Sequence, residues 1–489
     1  MPVARHVLAH AAERPSRLAV CGPAGELTYA RFAGKIDGAA RHLRGRGVGP
    51  GALVAVALAD PVELLTAVLA ADLAGATPLV GDPAWDGERW DQITGEDLAA
   101  RIDTPLPSDA LPSDAGSLRA RPSDAGPSDA GSSDAGPSDA GSSDAGPSVW
   151  GEARPDDLAW ACFSSGSTGR PRAIVRTRAS WTGSYPHLDE LTGIGPDDVV
   201  LVPGPLVSSL YSFAALHTLA TGATALLPGR WPGRSLTAQL DRASVVHVVP
   251  HRLPDVLARP GSVRVAVVGG AALDAGTRAD AAAAGVRVVS YYGATELSFV
   301  AADADGGGLR PFPGVEIEVR TGSHGPLGEV WARSPWLAEG YLAGAAGPLR
   351  CDGDGWVTVG DLAEPYREGQ VLRLRGRGDG AIQTGGATVV PEDVEEVLRQ
   401  VPGVGDIVVV GLPHPSLGSV VTAVVEAEPA LQPPRALLEA TARGGLDAAQ
   451  RPRRWFVVPS LPRNPTGKPA RALVADRLAG GDPEIRRLV

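Results

Sequence analysis

Short apolar runs alternate with helical stretches in the first part of the chain. Leu18 to Val20 and Leu53 to Leu58 have the length of strands, whereas Tyr29 to Leu43 and Pro61 to Leu73 have the apolar spacing of helices. Turns that contain glycine end these segments. The alternation is typical of an α/β domain with parallel strands.

Longer apolar runs follow in the middle of the chain. They cover residues 158–163, 199–203, 244–250, 263–270 and 286–293. Runs of this length and composition indicate strands that are buried on both faces, as in a parallel sheet. From Phe312 to Leu342 the runs become shorter and alternate with polar residues, which predicts a smaller β-rich subdomain.

The end of the chain has its own pattern. Helical stretches at Asp393 to Gln400 and Arg435 to Arg443 accompany two strand-like runs, 407–412 and 419–428. We therefore expect an α/β fold with a large N-terminal domain, residues 1–378, and a small α+β domain, residues 379–489.

A repetitive segment interrupts the N-terminal domain. Residues 104–147 consist largely of PSDAG and SSDAG units. These residue types bury too little apolar area to offset the loss of chain entropy, so we expect a disordered surface insertion.

Composition excludes several classes of function. The formal net charge of −11 opposes general binding to nucleic acid or to an anionic membrane. The N-terminus lacks the apolar core of a signal peptide, and no run approaches the roughly 18 apolar residues of a membrane span. Cys21, Cys162 and Cys351 show no metal-ligand spacing. We expect a cytoplasmic protein without a structural metal.

Lysine is rare in this chain. Lys35 and Lys468 are the only two, and arginine supplies the other basic side chains. A compact ammonium reaches a single oxygen in a tight site where a planar guanidinium needs more room. A retained lysine is therefore a candidate for chemistry that arginine cannot perform.

A loop rich in glycine and hydroxyl groups follows the run at 158–163. Phe163 to Arg172 reads FSSGSTGRPR, in which backbone N–H groups and hydroxyls can converge on anionic oxygens. The spacing of a Walker A loop is absent. The string resembles the signature loop of the adenylate-forming superfamily, which includes acyl-CoA synthetases, luciferases and nonribosomal-peptide adenylation domains. The superfamily usually has a lysine where Arg172 stands.

This resemblance implies a set of ATP-binding residues. Those in the loop are Ser164, Ser165, Gly166, Ser167, Thr168, Gly169 and Arg172. Thr168 is also implied to contact a metal. Upstream of the next motif, Gly269, Gly270 and Ala271 resemble the turn that flanks adenine in the superfamily.

A second motif, SYYGATELS at residues 290–298, resembles the Tyr-Gly-x-Thr-Glu segment of the same superfamily. The resemblance implies that Tyr292 stacks on adenine beside Gly293 and that Thr295 contacts phosphate. It also implies that Glu296 holds Mg²⁺, a hard cation that suits a carboxylate.

Three further segments occur in the order of the superfamily. Asp361 ends GWVTVGD and is implied to accept hydrogen bonds from the ribose hydroxyls, which suits its two acceptor oxygens. In LRGRGDG, Arg377 is implied to contact the nucleotide and Asp379 to be the pivot between domains. Gly385 and Gly386 resemble the loop that presents the thiol in the second half-reaction.

The last motif, RNPTGK at residues 463–468, resembles the loop that carries the catalytic lysine. Lys468 is implied to bridge the carboxylate and the α-phosphate and to stabilise the charge that develops as pyrophosphate leaves. The resemblance covers nearly the whole chain apart from the repeats. It implies a ligase that uses ATP, Mg²⁺ and coenzyme A to convert a carboxylic acid to an acyl-adenylate and then to a thioester.

The motifs do not identify the acid, and only a few residues bear on its chemical class. Ser208 stands where many acyl- and aryl-CoA synthetases have a histidine, and no acidic residue between Val202 and Gly222 could pair with the ammonium of an amino acid. We therefore expect a fatty or small acyl acid. Candidate pocket residues are Tyr211, Phe213, Ala215 and Ser298.

Two alternatives remain open at this stage. The acyl group could go to the phosphopantetheine of a carrier protein instead of coenzyme A. The protein could be a nitrite-activating relative that carries out diazotisation. A non-enzymatic descendant is disfavoured, because Lys468 and Glu296 are both retained.

Overall fold

The computed structural model describes most of the chain. The described residues are 3–94, 98–107, 154–164, 172–270, 273–322, 327–345, 347–377, 380, 382–384, 387–415, 417–427, 432–464 and 467–488. From residue 108 onward, the predicted insertion lies outside them.

The four predicted helices are present as α2, α3, α11 and α12, with ends shifted by a few residues, and further helices accompany them in the described residues. In chain order they are α1 Val3–Glu13, α2 Tyr29–Gly45, α3 Pro61–Ala74, α4 Gly87–Thr94, α5 Arg178–Thr182, α6 Tyr185–Thr192, α7 Ser209–Thr221, α8 Leu236–Arg242, α9 Leu253–Leu257, α10 Ala275–Ala283, α11 Pro391–Arg399, α12 Arg435–Gly445 and α13 Arg471–Ala479. The Asp60 side chain accepts from the N–H groups of Val62 and Glu63 and so fixes the start of α3. Gly75, in the left-handed region, ends that helix.

The strands form four sheets. In chain order they are β1 Leu18–Gly22, β2 Gly25–Thr28, β3 Leu53–Val56, β4 Thr77–Val80, β5 Leu98–Ile102, β6 Leu158–Ser164, β7 Arg172–Thr177, β8 Val199–Leu201, β9 Thr224–Leu226, β10 Val245–Val248, β11 Val265–Gly269, β12 Arg287–Ala294, β13 Ser298–Asp303, β14 Arg310–Pro311, β15 Glu316–Thr321, β16 Gly328–Arg333, β17 Gly340–Tyr341, β18 Arg350–Cys351, β19 Val357–Thr358, β20 Asp361–Ala363, β21 Leu374–Arg377, β22 Ile382–Thr384, β23 Ala387–Val389, β24 Val404–His414, β25 Gly418–Ala427, β26 Arg454–Val458 and β27 Arg486–Arg487.

The first sheet has the order β14-β13-β12-β11-β10-β8-β9-β1-β2. Its strands from β12 to β1 are parallel, as the continuous apolar runs predicted, and antiparallel strands flank them at both edges. The carboxyl ends of β8, β10, β11 and β12 therefore lie at the same edge of the sheet. Ligands of open parallel sheets bind at that edge.

The second sheet has the order β17-β7-β6-β4-β3-β5, with parallel pairing from β5 to β6 and antiparallel pairing beyond. The third sheet is a β-rich part, in which β15, β16 and β18 to β21 pair antiparallel. It overlaps the β-rich subdomain predicted at 312–342 but extends to Arg377, and β17 of the predicted range pairs with β7 of the second sheet instead. The fourth consists of β22 to β27 and belongs to the C-terminal segment. The α/β fold class is therefore confirmed.

The hydrophobic cores follow this division. One large cluster joins the first and second sheets and also includes buried residues of the β-rich part. Two other clusters lie on the two faces of the fourth sheet and consist only of residues from Ile382 onward. The predicted boundary near residue 378 stays a prediction, but the separate cores agree with a C-terminal unit that folds around its own sheet.

Within the described residues, no helix has the length and apolar character that a bilayer crossing requires.

Candidate active site

The ends of the predicted phosphate loop meet in a hairpin. Ser164, at the end of β6, pairs with Arg172, at the start of β7, in antiparallel register. Residues 165–171, which include Ser165, Gly166, Ser167, Thr168 and Gly169, lie outside the described residues. The guanidinium carbon of Arg172 lies 6.0 Å from the centroid of the Tyr341 ring, so the cation faces an aromatic side chain from β17.

Glu296 lies in the turn between β12 and β13 and is only 4% exposed. The Tyr341 hydroxyl donates a hydrogen bond of 3.0 Å to Glu296 Oε1. Burial and the neighbouring Glu296 charge raise the pKa of Tyr341, so this hydroxyl keeps its proton and donates. The Glu296 backbone oxygen accepts from Ala338 N–H, which ties the turn to the segment before β17.

Thr295 contacts the first turn of α7. Its Oγ1 lies 2.7 Å from Ser209 Oγ. Helix α7 is the next element after β8 along the chain. The hydrogen bond joins the start of this helix to the turn that carries Thr295 and Glu296.

The predicted ribose aspartate contacts the predicted adenine residue. The Tyr292 hydroxyl donates to Asp361 Oδ2 at 2.8 Å. In the β-rich part, Asp361 on β20 pairs with Arg377 on β21 in backbone register. Three residues from three separate motifs are therefore brought together, although the Arg377 side chain lies outside the described part.

Lys468 approaches the glycine turn at the end of β11. Its Nζ is 3.6 Å, and its Cε 3.5 Å, from the position that a Cβ on Gly270 would take. Gly270 has a φ of +93°, a conformation that side chains of L-residues rarely adopt. A residue with a side chain at this position would be strained and would also contact the lysine. The C-terminal segment thus places its ammonium at the edge where β10, β11 and β12 end.

Several predicted residues cannot be compared with the structure. Ala271, Asp379, Gly385 and Gly386 lie outside the described residues, as does the Ser164 side chain. Of the pocket candidates, Tyr211 and Phe213 are both buried. The Phe213 ring packs against Trp181, Tyr185 and Phe299.

Sequence reasoning missed Tyr341 and Ser209. Both lie in segments that resemble the superfamily, GEVWARSPWLAEGYL and PLVSSLY, but nothing in their spacing indicated a contact with Glu296 or Thr295. The contacts join residues 45 and 86 positions apart, which only the fold can bring together.

The buried carboxylate suits a magnesium ion that accompanies a nucleotide. Glu296 presents one oxygen to Tyr341 and is a hard donor in a nearly closed environment. Across the described residues, no cluster of three or more potential ligands was found that could cage a metal. The residues present therefore fit a cation that takes most of its ligands from phosphate oxygens and water.

Comparison with known proteins agrees with this geometry. The family model of AMP-binding enzymes matches residues 7–342, and the model of their C-terminal domain matches residues 393–468. The chain belongs to the AMP-binding enzymes. Membership in this adenylate-forming family implies ATP-dependent activation of an acid and its ligation to coenzyme A or a carrier.

Individual AMP-binding enzymes resemble the chain over much of its length. An uncharacterized acyl-CoA ligase, YhfT, from Bacillus subtilis is 30% identical over 65% of this chain and 68% of its own. The fatty acid–[acyl-carrier-protein] ligase ScoC from Streptomyces coeruleorubidus is 28% identical over 67% of this chain and 69% of its own. The structure of ATP-bound MatB from Rhodopseudomonas palustris has a TM-score of 0.78 at 22% identity, and the match covers 97% of this chain and 98% of MatB.

Asp361→Asn tests the ribose contact. The variant keeps the shape of the side chain but replaces one acceptor oxygen with a donor, so it can no longer accept from Tyr292 and two ribose hydroxyls together. We expect the KM for ATP to rise about tenfold or more. Tyr292→Phe is the matched control, because it frees Asp361 Oδ2 without changing the carboxylate. An unchanged KM for ATP in Asp361→Asn would exclude the ribose role.

Proposed function

We propose that this protein is an AMP-forming acid–thiol ligase that activates a fatty or small carboxylic acid and transfers the acyl group to coenzyme A. The observation that carries the proposal is the approach of Lys468 to Gly270. It places a cation from the C-terminal segment at the sheet edge where the buried Glu296 and the Asp361–Tyr292 pair are also located.

In the first half-reaction, an oxygen of the substrate carboxylate attacks the α-phosphorus of ATP. The bond from that phosphorus to the oxygen bridging to the β-phosphate breaks, and pyrophosphate leaves with the electron pair. Negative charge grows on the oxygens around phosphorus, and the Lys468 ammonium stabilises it from a fixed position. Arg172 neutralises charge on the β- and γ-phosphates, and Asp361 orients the ribose.

In the second half-reaction, a thiol sulfur attacks the acyl carbon of the adenylate. A carbon–sulfur bond forms, the carbon–oxygen bond to AMP breaks, and the thiol proton goes to solvent. Gly385 and Gly386 belong to the loop that we assign to this step. Magnesium, when bound with ATP beside Glu296 and Thr168, supplies charge neutralisation of the phosphates.

The first turn of α7 borders the acid. Ser209 contacts Thr295, and two residues later the Tyr211 ring packs so closely on Gly204 that a Cβ there would lie 1.9 Å from it. The Tyr291 ring packs in the same way on Gly269. Both rings therefore lie against the backbone beside the sheet edge at which we propose that the acid binds. No acidic residue lies between Val202 and Gly222 in the sequence, so this segment supplies no carboxylate that would pair with an ammonium.

Tyr211→Ala is expected to lengthen the accepted acid. The change removes a ring beside the proposed acid site, and each added methylene that then fits contributes about tenfold or more to kcat/KM. The measurement is kcat/KM across straight-chain acids of increasing length. Tyr211→Phe keeps the ring and should keep the wild-type preference, and a thermal melt shows whether either variant is folded. An unchanged length preference in a folded Tyr211→Ala protein would place the acid elsewhere.

Loading of a carrier protein is the second candidate. It is supported by the similarity to ScoC, whose name describes transfer to an acyl-carrier protein. The two functions share their chemistry and differ in the thiol. Purified protein should be incubated with ATP, magnesium, a panel of fatty, aryl and amino acids, and either coenzyme A or a phosphopantetheinylated carrier, and the products identified by mass. A coenzyme A thioester supports the proposal, whereas acylation of the carrier alone contradicts it.

A further inference from the structure

The loop that carries Lys468 is tied firmly to its own segment. Asn464 N–H donates to the Lys468 backbone oxygen at 2.8 Å, and Lys468 N–H donates back to Asn464 Oδ1 at 3.0 Å. The Arg463 guanidinium contacts Asp406 at 2.9 Å and Glu426 at 3.1 Å, both on the fourth sheet. These bonds fix the loop relative to the C-terminal core but not relative to the nucleotide-binding sheet.

One histidine of the N-terminal part contacts this loop. His251 lies in a 3₁₀ turn, Pro250–Arg252, directly after β10. Its Cε1 and Nε2 are both 3.1 Å from the position that a Cβ on Gly467 would take. Gly467 has a φ of +86°, and its lack of a side chain lets the loop backbone approach the ring.

The same turn also leads to the neighbourhood of the ammonium. Val249, which precedes Pro250, has Cγ1 3.7 Å from the Cβ position of Gly270, the residue that Lys468 approaches. The segment that follows β10 therefore lies next to both Gly467, in the loop that carries Lys468, and Gly270, the residue that the Lys468 side chain approaches.

The imidazole is suited to a neutral packing contact. Partial burial lowers the pKa of His251, and the cations Arg252 and Arg463 lower it further, while Asp255 and Asp406 act in the opposite direction. The ring is therefore neutral near pH 7, and one side of it stays exposed to solvent. A flat ring of similar size without charge should support Gly467 equally well.

We propose that His251 is a positioning residue for the first half-reaction, supporting Gly467 so that Lys468 is held at the Gly270 turn. The inference rests on the proposed function, because it assumes that Lys468 acts in adenylation. The resemblance to the superfamily implies that the C-terminal domain rotates about Asp379 between the half-reactions and that Lys468 then leaves the Gly270 turn. His251 should therefore have no part in the second half-reaction. His251 is thus expected to affect one of the two half-reactions selectively.

The test compares His251→Ala, His251→Phe and Lys468→Ala in two assays. ATP–pyrophosphate exchange measures adenylation, and thioester formation from supplied acyl-adenylate measures the second step. A displacement of about 1 Å at a reacting group can cost up to 10²-fold, so we expect His251→Ala to lower exchange about tenfold or more. Thioester formation should stay within about twofold of wild type, because His251 is proposed to act only through the position of Lys468. A general loss of structure would lower both rates. His251→Phe should restore most of the exchange rate.

The outcomes separate the two claims. If Lys468→Ala keeps exchange, Lys468 has no role in adenylation and His251 cannot act through it. If the wild-type protein shows no exchange with any acid, the proposed function itself fails. If Lys468→Ala abolishes exchange while His251→Ala changes neither assay, or lowers both equally, the positioning role of His251 is wrong and the proposed function stands. Loss of exchange in His251→Phe as large as in His251→Ala would also contradict packing by the ring.

Discussion

Lys468→Ala should abolish most of the adenylation activity and leave the transfer step intact. Removing one preorganised donor to a developing oxyanion typically costs about 10²- to 10³-fold in rate, and Lys468 is the cation that reaches the Gly270 turn from the C-terminal segment. ATP–pyrophosphate exchange should fall by that factor. Thioester formation from supplied acyl-adenylate should change by no more than about twofold, because that step does not build charge on phosphorus.

The chain offers an unusually clean control for this variant. Lys35 is the other lysine of the sequence, and its ammonium pairs with Glu63 of α3 at 2.5 Å. Lys35→Ala removes the same functional group from a structural contact, so both half-reactions should keep wild-type rates in the folded protein. Equal exchange rates in wild type and Lys468→Ala would show that the lysine has no catalytic role.

Glu296→Gln should lower adenylation about 10²-fold and raise the magnesium concentration needed for half-maximal rate. The amide keeps the volume of the side chain and can still accept from Tyr341, but it lacks the charge that binds a hard cation. Exchange measured over a magnesium titration gives both quantities. The effect should be confined to the first half-reaction, in which the triphosphate is present.

Tyr341→Phe separates the charge of Glu296 from its hydrogen bond. This variant removes the 3.0 Å hydrogen bond to Oε1 but leaves the carboxylate group of Glu296 in its buried turn. We expect a smaller loss, about tenfold, with little change in the magnesium requirement. A Glu296→Gln protein whose magnesium titration matches that of wild type would contradict the assignment of this carboxylate to the metal.

Most strands of the parallel sheets could be predicted because strands buried on both faces need continuous apolar runs, whereas the short strands β4, β5 and β9 were not predicted. The run at 263–270 became β11, and the run at 286–293 became β12, with boundaries shifted by two residues or fewer. The helices Tyr29–Gly45 and Pro61–Ala74 were found with similar accuracy. These elements carry their signal within a short window of residues.

The contacts of the candidate site were only partly predictable. Motifs identified Glu296, Asp361 and Lys468 one at a time. The Tyr341 hydrogen bond to Glu296 and the His251 contact with Gly467 join residues that are distant in the sequence, and no local pattern predicts such contacts. The Tyr292 bond to Asp361 joins two motifs whose residues had been given separate roles.

ATP–pyrophosphate exchange by the wild-type protein, with and without each acid of a panel, tests the central claim most directly. We predict exchange that requires magnesium and a fatty or small acid without an ammonium group, and that disappears in Lys468→Ala. Exchange absent with every acid, in a protein shown to be folded, would contradict the assignment of adenylation chemistry to this site.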